Sequence, residues 1–96
     1  MAYEVMWPDR ARTYGETAEE VIDRLRGQQF HTYATTREFA QELLRRAGIY
    51  EQIDRGTMRN EANDVSADDA DAVLRELARR NIISLWIDGQ FINDLG

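Results

Sequence analysis

The side chains able to do chemistry in this sequence are few and scattered. Ser66 and Ser84 are its serines, and neither sits in the Gly-x-Ser-x-Gly elbow that exposes a nucleophile. Ser66 opens Ser66-Ala67-Asp68-Asp69, a helix-start signature, and its hydroxyl is explained as a cap accepting from a first-turn amide. Ser84 falls in the middle of an apolar run. His31 is the single histidine and has the right ordinary pKa for a general base, but no motif places a partner beside it. It reads as an exposed residue of a connector. The absence of cysteine removes thiolate nucleophiles, thiolate metal sites and disulfides together. The glycines are isolated, so none builds a loop that cradles phosphate.

Charge offers two further possibilities. Glu61, Asp64, Asp68, Asp69 and Asp71 crowd one stretch, and their oxygens would suit a hard cation. Their spacing lacks the alternating ligands, central glycine and terminal glutamate of a calcium loop. They are better explained as negative charge at the positive end of a helix dipole. No metal and no cofactor is expected. Arg45-Arg46 and Arg79-Arg80 could meet phosphate, but each pair ends a helix, where cations complement the dipole. The net charge of −6 opposes nucleic acid as a partner.

The aromatic residues carry the remaining signal. Trp86 with Phe91, and Trp7 with Tyr14, lie in strand-like segments near turns. They are either core or a contact patch beside a sheet edge, and spacing alone leaves both readings open. If they are exposed they imply a protein partner or a homodimer. Glu61 and Asp64, in the polar stretch from Thr57 to Asp64, give a second candidate contact surface.

These residues must be positioned by short elements. Tyr3, Val5 and Trp7 alternate with Glu4 and Met6, which predicts a strand with one apolar face. Pro8-Asp9-Arg10 is a turn, Arg12-Thr13-Tyr14 returns, and Gly15 breaks the hairpin. Thr17-Ala18-Glu19-Glu20 is a capping box; Ala18, Val21, Ile22 and Leu25 form the buried stripe, and Gly27 is the expected stop. Thr35-Thr36-Arg37-Glu38 opens a second helix with Phe39, Ala40, Leu43, Leu44 and Ala47 on one face and Gly48 as its end. Ile49, Tyr50 and Ile53 suggest one more turn before Gly56, followed by a surface loop over 57–64. The third helix starts at Ser66 and buries Ala70, Val73, Leu74, Leu77 and Ala78, with Asn81 ending it in a left-handed conformation.

Ile82 to Ile87 changes period and is rich in β-formers, and Asp88-Gly89 is a two-residue hairpin turn requiring positive φ twice. That turn sets Trp86 opposite Phe91 and Leu85 opposite Ile92. It puts Leu85, Ile87 and Ile92 on one face and Trp86 and Phe91 on the other. The expected architecture is a single α+β domain over 1–96. A small antiparallel sheet from the N- and C-terminal hairpins packs against about three short helices, in the order ββαααββ. Tyr3–Trp7 and Ile82–Ile87 are its expected adjacent central strands.

Composition sets the class. Ninety-six residues with 43% apolar side chains support one modest core. No apolar run approaches the ~20 residues of a bilayer span, and Met1-Ala2-Tyr3-Glu4 lacks the basic and apolar regions of a signal peptide. Without cysteine this reads as a cytoplasmic protein with no membrane partner. The basic residues are all arginine, a bias of GC-rich coding.

With those residues in view, the chain resembles the small accessory proteins of actinobacterial phages and prophages. The likeness rests on Tyr3-Glu4-Val5, Trp7-Pro8-Asp9 and Glu19-Glu20-Val21 at the head of a short helix, together with the arginine-rich, lysine-free composition. It covers the first third of the chain and carries over no functional residue. It implies a host bacterial cytoplasm and a non-enzymatic protein that acts by binding a host or phage protein. Two alternatives are a winged-helix-like regulator, with Arg75 and Arg79 near a groove, and an acidic mimic of DNA.

Overall fold

The computed structural model describes residues 2–46 and 65–93. Two hairpins come from opposite ends of the chain and join through their first strands. β1 (Tyr3–Met6) and β2 (Arg12–Gly15) form one hairpin; β3 (Ser84–Ile87) and β4 (Gln90–Phe91) form the other. All pairings are antiparallel and the sheet runs β2-β1-β3-β4. β1 and β3 are therefore the adjacent central strands, as their apolar content predicts.

Local chemistry shapes both turns. Asp88 and Gly89 have φ of 51° and 82°, the two positive values the Asp-Gly pair implies. In the first hairpin, the amide of Arg10 donates to the Trp7 carbonyl at 2.8 Å and that of Trp7 to Ala11 at 2.9 Å. Asp9 Oδ1 accepts from the Ala11 amide at 3.0 Å. Arg10 closes this turn at φ 71°, a conformation that disfavours a Cβ. β1 ends at Met6, one residue earlier than alternation suggests, because Trp7 already belongs to the turn.

Among the described residues three helices cover one face of the sheet: α1 (Ala18–Gln29), α2 (Thr36–Arg46) and α3 (Ala70–Arg79). α1 packs on β1 and β2, α3 packs on β3, and α2 rests against both helices. Thr17 Oγ1 caps α1 through the Glu20 amide at 3.1 Å. Gly27 does not stop this helix. α1 continues to Gln29, and the Phe30 amide donates to the Arg26 carbonyl at 2.9 Å. The extension lets Phe30 stack on Phe39 of α2, ring centres 4.8 Å apart, a gain that outweighs one glycine in a helix. Thr35 Oγ1 caps α2 through the Glu38 amide at 3.1 Å.

The start of α3 also departs from expectation. Its cap is Asp69, which accepts from the Ala72 amide at 3.1 Å. Ser66 instead holds a turn, accepting from the Asp68 amide at 3.1 Å, and this turn buries Ala67. The other end is a Schellman motif. Asn81 has φ 58°; its amide donates to Ala78 at 2.9 Å and that of Ile82 to Leu77 at 3.0 Å. Ile82 is consumed by this cap, so β3 starts two residues later than composition alone suggests.

The core lies between sheet and helices. Tyr3, Val5, Trp7, Thr13, Leu85 and Ile87 face inward from the sheet. Val21, Ile22, Phe39, Leu44, Val73, Leu74 and Leu77 meet them from the helices, all essentially without solvent contact. The expected turn at Ile49, Tyr50 and Ile53, the stops at Gly48 and Gly56, and the loop over 57–64 lie outside the described residues.

Candidate interaction surface

The described helices cover one face of the sheet, and the other face collects Tyr14, Trp86 and Phe91. Strand alternation turns Glu4, Met6, Arg12, Tyr14, Ser84 and Trp86 away from the core. The register then sets Tyr14, Glu4, Trp86 and Phe91 side by side in one row across all four strands. Arg12, Met6 and Ser84 form a second row beside it.

Within this surface the rings of Trp86 and Phe91 lie 5.3 Å apart, tilted by 44°. Arg12 reaches across β1, forms an ion pair with Glu4, and places its guanidinium carbon 5.3 Å from the centre of the Trp86 ring. The hydrogen bond to Glu4 is the main cause that pushes the Arg12 pKa further up. The face thus holds paired, mutually neutralising charge among aromatic rings. Trp86 and Phe91 are half-buried, while Tyr14 is 55% exposed, the most open large apolar side chain among the described residues.

Trp7 belongs elsewhere. It is buried on the inner face, and its indole Nε1 donates to the hydroxyl of Thr13 at 2.8 Å. That bond explains the one buried polar side chain among the described residues. Of the aromatic candidates, the structure brings Trp86, Phe91 and Tyr14 together on the outer face and puts Trp7 behind them. Glu61 and Asp64 lie outside the described residues.

The other chemistry-bearing side chains are dispersed. His31 sits on an exposed turn between α1 and α2. Ser66 holds its turn, and Ser84 lies on β3. The acidic residues have structural partners: Asp68 pairs with Arg37 at 2.6 Å, Asp69 caps α3, and Asp71 accepts from the Tyr3 hydroxyl at 2.7 Å and from Arg75 at 2.8 Å. Burial first, and then that bond, push the Tyr3 pKa up to about 12. Among the described residues no group of three potential ligands could hold a metal ion. Both arginine pairs fold back onto a glutamate of their own helix: Arg45 and Arg46 onto Glu42, Arg79 and Arg80 onto Glu76.

A cavity of about 410 Å³ opens where the C-terminal ends of the helices meet the β1–β2 turn. Leu25, Phe30, Leu43, Leu77 and Ile83 line it, and its polar lining is Asp9, Gln29 and Arg46. His31 is not part of it.

Sequence reading missed three residues that shape the surface. Arg12 lies over Trp86 because β2 and β3 flank β1, a neighbourhood set by strand order. Met6 shares the face for the same reason. Arg24 of α1 donates to the Tyr14 carbonyl at 2.5 Å and bears on the sheet edge, with no local pattern that marks it. Among the described residues no helix is long and apolar enough to cross a membrane. No protein-family model matches this chain, and neither does any curated protein or solved structure.

Proposed function

We propose that this chain is a small non-enzymatic binding module that docks a protein partner on the open face of its sheet. The carrying observation is the row Tyr14, Glu4, Trp86 and Phe91 across four strands, flanked by Met6 and Arg12. Aromatic and arginine side chains supply much of the energy of protein interfaces, since they bury large area with little conformational loss. Here the rings are already held against one another, so little ordering remains for the binding step. A non-catalytic role is supported by the dispersal of His31, Ser66 and Ser84 and by the structural pairing of the acidic residues. The resemblance to phage accessory proteins supplies the setting: a bacterial cytoplasm and a host or phage protein as partner.

Affinity capture from lysates of the organism that carries the gene tests this. Wild type should retain a partner that Trp86→Ala and Tyr14→Ala both lose, while Arg37→Ala on α2, away from the sheet, retains it. Equal capture by all variants would remove the outer face from the reading. Absence of any captured protein would remove the binding role itself.

One observation favours a second reading. Glu16, Glu19, Asp68, Asp69 and Asp71 line one cleft at the N-terminal ends of α1 and α3. An acidic surface of this kind suits a protein that occupies a basic, nucleic-acid-binding partner. Competition with duplex DNA for the captured partner, weakened by charge reversal at Glu19 and Asp68, distinguishes this reading from docking on the sheet.

A further inference from the structure

Among the described residues no strand pairs with the far edge of the outer strand β2, and its register determines which groups face outward. The Trp7 amide donates to Ala11, so the bonded pairs along the hairpin alternate from there to Val5 with Thr13 and Tyr3 with Gly15. The N–H and C=O groups of Arg12 and Tyr14 therefore point away from β1. The Tyr14 carbonyl does not face solvent alone. Arg24 on α1 donates to it at 2.5 Å, and Glu20, one turn earlier, holds the same guanidinium at 2.5 Å. The opposite edge is guarded differently, because β4 is only two residues long.

The geometry points to Arg24 as a guard on a latent strand-addition site, whose fitting partner is β2 of a second copy of this chain. Arg12 and Tyr14 are symmetric about Thr13. An antiparallel two-fold pairing centred on Thr13 sets Arg12 of one copy against Tyr14 of the other. Each amide then meets a carbonyl, and every outward group of both strands is satisfied. The same register makes Arg12 of one copy and Tyr14 of the other directly opposed neighbours on the outer face, while the Arg12 guanidinium stays on Glu4 and Trp86 of its own chain. The pairing needs the Tyr14 carbonyl, which Arg24 occupies, so the guard must leave before the edge can pair. This pairing uses the backbone edge of Arg12 and Tyr14, whereas the docking proposed above uses side chains of the outer face centred on Trp86 and Phe91, so the two can fail independently.

Sedimentation of purified wild type, Arg24→Ala and Arg24→Ala/Tyr14→Pro tests the guard. Arg24→Ala should dimerise about 25-fold more tightly than wild type, roughly fivefold for each of the two hydrogen bonds released. Proline at position 14 removes an outward amide and should abolish the gain. An Arg24→Ala protein that associates no more tightly than wild type overturns the proposal. So does association that survives in the double variant. If the double variant does not fold, amide exchange in Arg24→Ala decides. Concentration-dependent protection at Arg12 and Tyr14 supports edge pairing, and its absence in a dimeric sample overturns it.

Discussion

Arg12 and Trp86 meet across a strand to which neither belongs. The guanidinium carbon stands 5.3 Å from the indole centre, with β1 and its Glu4 between them. This contact ties the two hairpins together on the face opposite α1, α2 and α3. It also separates the two tryptophans by role, since Trp7 is inside and Trp86 outside.

That separation has an energetic signature. Trp86→Ala removes a ring contact and a cation–π contact from a half-buried site, so it should cost about 1–2 kcal/mol. Phe39→Ala empties a fully buried position and should cost ~3–5 kcal/mol. Urea unfolding of the two variants checks the order. If Trp86→Ala is the more damaging of the pair, the outer face is structural and the docking surface is lost with it.

Gly15 is required by close approach. A Cβ there would stand 2.9 Å from Val21 Cγ2 and 3.1 Å from the Val21 amide nitrogen. The methyl of Val21 can yield, but the backbone of α1 cannot yield without moving the helix off β2. Gly15→Ala should destabilise by ~1–3 kcal/mol. Adding Val21→Ala should recover none of the part due to the backbone contact. A Gly15→Ala protein with an unchanged denaturation midpoint would contradict this packing.

Asn93 joins the end of α3 to the second hairpin. Its Oδ1 accepts from the Leu85 amide at 2.9 Å; its Nδ2 donates to the carbonyls of Ile83 at 2.7 Å and Ala78 at 3.1 Å. Asn93→Ala leaves these groups unpaired in a half-buried site and should cost ~1–3 kcal/mol. Asn93→Asp keeps the acceptor but aims a carboxylate at two carbonyls. It should be the less stable of the two at neutral pH and should recover as acid neutralises it, as paired denaturation curves will show.

Glu42 makes the fold sensitive to acid. Its hydrogen bond from Arg45, then that from Tyr33, hold its carboxyl well below the usual range, at about 2. The unfolded carboxyl takes up its proton near the ordinary glutamate value of 4.5, while the folded one resists until about 2. The pair's contribution is therefore complete above the unfolded value and is lost as pH falls through this window. Stability of wild type should drop there more steeply than that of Glu42→Gln, with the two converging at the acid end. Parallel curves across the window would show that Glu42 is not the group responsible.

Much of this protein is written locally. Asp88-Gly89 determines its own turn because both residues tolerate positive φ, and that turn alone sets Trp86 against Phe91. Asn81 ends α3 for the same reason, and the buried residues of α1, α2 and α3 follow from their period, although Leu43 and Ala70 are only partly buried and Ala47 lies outside the described residues. Where local rules failed, packing overruled them. Gly27 stays helical because Phe30 gains a stacking partner on α2, and Ser66 yields the cap to Asp69 so that Ala67 can be buried. Which aromatic residues face solvent was open in the sequence, since the strands beside Asp88-Gly89 are apolar on both faces near their turn. Only the joining of β1 to β3, and the arrival of α1, α2 and α3 on the same face, left Trp86, Phe91 and Tyr14 outside and Trp7 within. Contacts such as Arg12 with Trp86 or Asn93 with Ala78 link residues distant in the chain, so no window of neighbouring residues encodes them.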